Sequence, residues 1–138
     1  MLKMGLLINP LAGLGGSRGL KGSDGSVVRE LADNLSEQEL LRSNDRARRA
    51  LDKLVGIEGL QVFTWGGAMG ADLARSLGLE HRVLGQGSDT ISSPADTRQA
   101  AAAMLEAGVD VLAFAGGDGT ARDIYDVVGD RLPVLGIP

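Results

Sequence analysis

The chain has 138 residues, enough for one domain with a sizeable core. A hydrophobic share of 43% marks it as globular, an aromatic share of 3% leaves the core to Ala, Leu and Val, and 21 glycines fit a turn-rich α/β protein. A net charge of −4 supplies no basic field for nucleic acid or an anionic membrane, zero cysteines exclude a disulfide framework and Cys-ligated zinc, and a single histidine, His81, gives no basis for a His-based triad or metal cluster.

In chain order, the apolar stretch from Met4 to Ile8 is too short for a signal sequence or a membrane span, and Asn9-Pro10 stops it. This points to a soluble cytoplasmic protein whose first buried strand is Gly5 to Ile8. Leu11 to Ser26 is glycine-rich and reads as a long loop. Val27, Val28, Leu31 and Leu35 suggest a short helix, and Ser36-Glu37-Gln38-Glu39 is a capping-box pattern opening another turn or two through Leu41. Ala47, Ala50, Leu51, Leu54 and Val55 then form an apolar stripe with Arg46, Arg48, Arg49 and Lys53 around it. Because the arginines surround the stripe needed for packing, they read as a solvated helix face rather than an anion-binding patch.

Leu60 to Thr64 is the next predicted strand. Trp65-Gly66-Gly67 and a helix through Leu73 and Leu77, stopping at Gly78, follow it. Arg82 to Leu84 is a short strand candidate. Ser93-Pro94-Ala95-Asp96 is a helix start, with Ser as cap, Pro at the first helical position and Asp at the third, and the helix closes at Gly108. Val111 to Ala115 is a buried strand, and Pro133 to Ile137 a final one. Strands alternating with helices indicate an α/β fold, a parallel sheet with helices on both faces. The chain stops at Pro138, directly after a strand. The expectation is a nucleotide-binding N-terminal domain, 1–138, with a β-rich domain to follow it.

The segment from Asp110 to Asp126 carries the chemistry. After the strand come Gly116-Gly117-Asp118-Gly119-Thr120, and apolar residues then recur with helical spacing at Ala121, Ile124, Tyr125 and Val128. A strand-turn-helix of this kind lies at the carboxyl end of a parallel sheet, with the unpaired N–H groups of the helix aimed at whatever binds there. Their partial positive charge suits a phosphate, and the glycines remove Cβ atoms that would hold an anion away. A carboxylate at Asp118 repels phosphate unless a cation lies between them or a hydroxyl proton is to be taken, and phosphoryl transfer supplies both. The plainer reading is a turn with an acidic helix cap.

Familiar phosphate motifs fail. From Gly13 and Gly15 the sixth position of a dinucleotide fingerprint is Arg18, and Pro10 interrupts the turn; no Gly-Lys-Ser/Thr occurs near Lys21; the loop and lysine set of protein kinases is absent. A site built from Gly-Gly-Asp-Gly-Thr remains, with Asn9 as a second contributor if the two strands are neighbours.

At Ile8-Asn9-Pro10 and Gly116 to Thr120 together, the sequence resembles the NAD kinase and diacylglycerol kinase superfamily, which shares its nucleotide-binding domain with phosphofructokinases. Gly19 to Gly25, Thr64 to Gly70 and Asp96-Thr97 resemble the ATP-NAD kinase branch that includes the acetoin catabolism X proteins. The resemblance implies a Rossmann-like domain that binds ATP and Mg²⁺. In it Gly116, Gly117, Gly119 and Thr120 hold phosphates, Asn9 lines the same site, and Asp118 orients the metal or deprotonates the acceptor hydroxyl. Asp123 stands where lipid kinases carry Glu, and Arg122 replaces their Asn, which argues against a lipid kinase. Arg122 adds transition-state charge stabilisation in this reading or is a surface arginine. NAD is the leading acceptor, although Leu135-Gly136-Ile137-Pro138 has Pro where NAD kinases have Asn. The resemblance also implies a homo-oligomer in the full-length protein. The alternatives are a kinase with another acceptor and a non-catalytic nucleotide-binding regulator of acetoin-type catabolism. Trp65 is read as a packing residue in preference to a ligand-stacking one.

Overall fold

The computed structural model describes residues 1–10, 37–87 and 93–137. Strands β1 (Leu2–Ile8), β2 (Leu60–Thr64), β3 (His81–Val83), β4 (Val111–Ala115) and β5 (Val134–Gly136) form one parallel sheet in the order β3-β2-β1-β4-β5. Helices α1 (Glu37–Asp52), α2 (Ala71–Ser76), α3 (Pro94–Ala107) and α4 (Asp118–Val128) accompany them, with a 3₁₀ turn at Gly67–Met69.

Side chains alternate across each strand, so the sheet has two apolar faces to cover. Met4, Leu6, Ile8, Val62, Ala113 and Ala115 pack against Ala47 and Leu51 of α1 and Leu73 and Ala74 of α2. Leu7, Phe63, Leu112 and Phe114 pack on the other side against Ala100, Ala101 and Met104 of α3 and Ile124 and Val128 of α4. The sequence-based α/β reading, with helices on both faces, holds. Small residues set the spacing: a Cβ on Gly5 would stand 2.8 Å from Met104 Sδ, so glycine there lets α3 lie close to β1.

Local signals place several elements where the sequence predicts them. At α3, Ser93 Oγ accepts from Asp96 N at 3.2 Å, Asp96 Oδ2 accepts from Ser93 N at 3.0 Å, and Pro94 occupies the first turn. Such a capping box stabilises a helix start by about 1 kcal/mol. The helix closes at Gly108, whose φ of +77° is left-handed.

Other boundaries differ. The two helical segments expected through Leu41 and around Ala47 are one helix, α1, because no Gly or Pro occurs between Glu37 and Asp52 to interrupt it. It ends before Leu54 and Val55, whose N–H groups turn back onto Leu51 and Asp52. β1 begins at Leu2 rather than Gly5, since Leu2 N donates to Gly59 O and Lys3 N to Asp110 Oδ2. β3 begins one residue early, at His81, and α2 ends at Ser76, with Leu77 as its cap. The expected loop from Leu11 to Ser26 and the helix around Val27 to Leu35 lie outside the described residues.

The strand order fixes where a ligand can sit. From β1 the chain moves outward to β2 and β3, then returns to lay β4 on the other side of β1. Among the described residues, the helix after β1, α1, packs on one face of the sheet, and α4, which follows β4, packs on the other. Adjacent strands whose connections diverge leave a crevice at their carboxyl ends, the usual ligand position of open α/β sheets.

Candidate phosphate-binding site

Asn9 and the Gly116 to Thr120 turn meet at that crevice. Ile8 pairs with Ala115 in register, and Asn9 N donates to Ala115 O at 2.8 Å. The Asn9 side chain then crosses to α4: Nδ2 donates to Thr120 Oγ1 at 2.8 Å, joining residues 111 apart in sequence. Thr120 is 4% exposed and lies beneath the strand end. A Cβ on Gly116 would stand 2.6 Å from Thr120 Oγ1, so α4 can start directly against β4 only because residue 116 has none.

The turn presents backbone donors. Gly117 caps α4 in an extended conformation with no side-chain cap, and the first N–H taken up by the helix is that of Ala121, bonded to Gly117 O at 3.1 Å. The N–H groups of Asp118, Gly119 and Thr120 precede it and have no backbone acceptor among the described residues. Gly117 and Gly119 are exposed, and nothing lies within 4 Å of where their Cβ atoms would stand. The result is an open, amide-lined hollow at a helix N-terminus, electrostatically suited to an anion.

Asp118 opens α4 with its side chain exposed, and no described cation engages it. Arg122 is exposed on the following turn. Asp123 turns toward α3, where Arg98 Nη2 meets its Oδ1 at 2.9 Å. Thus Asn9, Gly116, Gly117, Asp118, Gly119 and Thr120 meet at the ends of β1 and β4, Arg122 is exposed one helical turn further on, and Asp123 serves an inter-helix ion pair.

Farther along the rim, Trp65 is a packing residue. It is 3% exposed, and a Cβ on Gly85 would fall 2.5 Å from its ring. Partly buried His81 places Nδ1 2.8 Å from Leu79 O, an ordinary packed histidine. Among the described residues no group of three or more His, Cys, Asp or Glu is arranged to hold a metal, and no helix is long and apolar enough to cross a membrane. The sequence places Asp96 at the third position of a helix start capped by Ser93, and the structure adds that Thr97 beside it is buried. Thr97 does lie on the apolar stripe of α3, four residues before Ala101 and seven before Met104.

The family model of the ATP-NAD kinase N-terminal domain matches residues 4–138, and the chain belongs to that family. This places it among kinases and transferases that use ATP and NAD. No curated protein and no solved structure matches it.

Proposed function

From membership of this family and the geometry of its crevice, we propose that the protein transfers the γ-phosphoryl group of ATP to a hydroxyl of a small molecule, with NAD as the first acceptor to test. The observation that carries this reading is the junction of β1 and β4: amides of residues 118–120 with no backbone acceptor among the described residues, beside an exposed carboxylate and joined to the neighbouring strand by the Asn9–Thr120 bond.

The triphosphate lies over Gly116 to Thr120, with its oxygens accepting from the amides. Asn9 holds Thr120 and lines the hollow's other wall, and Arg122 neutralises charge at the rim. Asp123 supports the site from behind by fixing Arg98 of α3. Asp118 receives the proton as the acceptor's oxygen bonds to the γ-phosphorus and the bond between that phosphorus and the ADP oxygen breaks. A positioned general base contributes about 10²- to 10⁴-fold.

The donor set also fits Mg²⁺. In nucleotide sites this ion takes one or two carboxylates plus phosphate oxygens, so Asp118 suffices without a cage of protein ligands. When bound, Mg²⁺ supplies positive charge that offsets repulsion between Asp118 and the phosphates.

The test is NADP formation from NAD and Mg-ATP by the purified full-length protein, next to Asp118→Ala. The expected result is turnover that the variant lowers by at least about 10²-fold at unchanged melting temperature. Full activity in a folded Asp118→Ala protein would refute the assignment.

A further inference from the structure

The folded chain uses the Thr120 hydroxyl in one direction only. Thr120 is 4% exposed, and its Oγ1 accepts from Asn9 Nδ2 at 2.8 Å. A hydroxyl also has one O–H to donate, and no acceptor for that hydrogen occurs among the described residues. The usual outlet for a threonine inside a helix is the carbonyl three or four residues back. For Thr120 those carbonyls belong to Gly117 and Gly116, and no such bond is made; Gly117 O accepts from Ala121 N at 3.1 Å instead. Buried Thr64 shows the contrast, since its Oγ1 donates to Leu6 O at 2.9 Å. A buried donor without an acceptor is rare and costly, so the Thr120 hydrogen calls for a cause.

Asn9 decides the direction. Its side-chain amide carries two donors on Nδ2 and an acceptor on Oδ1. With Nδ2 turned to Thr120, a lone pair of Oγ1 is taken and the O–H is left for a group outside the chain. With Oδ1 turned there instead, Thr120 would donate to Asn9 and have nothing left for a ligand. The hollow at the start of α4 suits an anion, and phosphate oxygens are strong hydrogen-bond acceptors.

We propose that Asn9 is a positioning residue that fixes Thr120 as a hydrogen-bond donor, and that a phosphate oxygen of the bound nucleotide takes the Thr120 O–H beside the amides of α4. This rests on the phosphotransferase reading and adds to it how the end of β1 acts on the ligand, through the polarity of one hydrogen bond.

The experiment titrates the full-length protein and its variants with Mg-ATP and with tripolyphosphate by calorimetry, after thermal melting has shown each variant to be folded. Thr120→Ser keeps the hydroxyl and should bind both within about threefold of the wild type, whereas Thr120→Val should bind both at least about tenfold more weakly, the loss of one hydrogen bond to a charged group. Asn9→Asp offers Thr120 an acceptor only, which draws the O–H away from the ligand, and it also places a like charge near the phosphates. Charge alone weakens binding equally whichever residue stands at 120. The Asn9→Asp penalty should therefore be at least about threefold smaller in Thr120→Val protein than in the wild type. If Thr120→Val does not fold, Thr120→Ala takes its place in both comparisons. Equal binding by the serine and valine variants would overturn the inference, and so would a loss confined to Mg-ATP or an Asn9→Asp penalty that is the same in both backgrounds. Absence of Mg-ATP and tripolyphosphate binding to the folded wild type would remove the phosphotransferase reading and this inference with it.

Discussion

Gly119→Ala separates what the fold needs from what a ligand needs. Gly119 is the second residue of α4, has no positive φ, and has open space where a Cβ would stand. For stability alone alanine is the better residue, by about 0.5–1 kcal/mol in a helix. That corresponds to a melting temperature higher by about 2–5 °C for a chain of this size. The same Cβ tilts toward the helix N-terminus, into the hollow where a phosphate oxygen must come within about 2.9 Å of a backbone nitrogen. Losing one charge-assisted hydrogen bond costs about 1.5–3 kcal/mol, roughly tenfold to a hundredfold in affinity. Thermal melting without ligand and calorimetric titration with Mg-ATP read the two effects separately. The variant should be more stable and bind nucleotide at least tenfold more weakly. A Gly119→Ala protein that binds Mg-ATP like the wild type would refute the argument that phosphate lies over these amides.

Three further outcomes follow from the same geometry. Gly116→Ala should lose both stability and nucleotide affinity, because its methyl group meets Thr120 Oγ1 at 2.6 Å; overpacking of this kind costs about 1–3 kcal/mol, measurable by urea denaturation. A double-mutant cycle on Asn9→Ala and Thr120→Val should return a coupling of about 1 kcal/mol in stability, and zero coupling would show that their 2.8 Å contact does not hold the two loops together. Asp123→Asn should cost less than about 1 kcal/mol, since its partner Arg98 is half exposed, and should leave Mg-ATP affinity within about threefold; a larger loss of affinity would assign Asp123 a direct nucleotide contact.

The features legible in the sequence were those with local causes. Ser93, Pro94 and Asp96 announce the start of α3 because a capping box is complete within four residues. Val111 to Ala115 reads as a strand because glycine and an amphipathic helix bound a buried apolar run. The extent of α1 was missed because polar Arg42, Ser43 and Asn44 break its apolar stripe without breaking the backbone pattern. The crevice was legible in its parts and not in its closure. Asn9 and Thr120 each look like site residues, but their hydrogen bond depends on β1 and β4 being neighbours, which the strand order decides. The Arg98–Asp123 pair arises from packing of α3 on α4, for which one-dimensional spacing carries no signal, whereas the burial of Thr97 follows the stripe it shares with Ala101 and Met104.

The most direct test of the central claim is an NMR titration of ¹⁵N-labelled protein with Mg-ATP, following the backbone amides. The account predicts that the largest shifts fall on Asp118, Gly119 and Thr120, with Asn9 responding across the strand junction. Saturable Mg-ATP binding that leaves those amides unmoved and shifts another part of the sheet edge would contradict it.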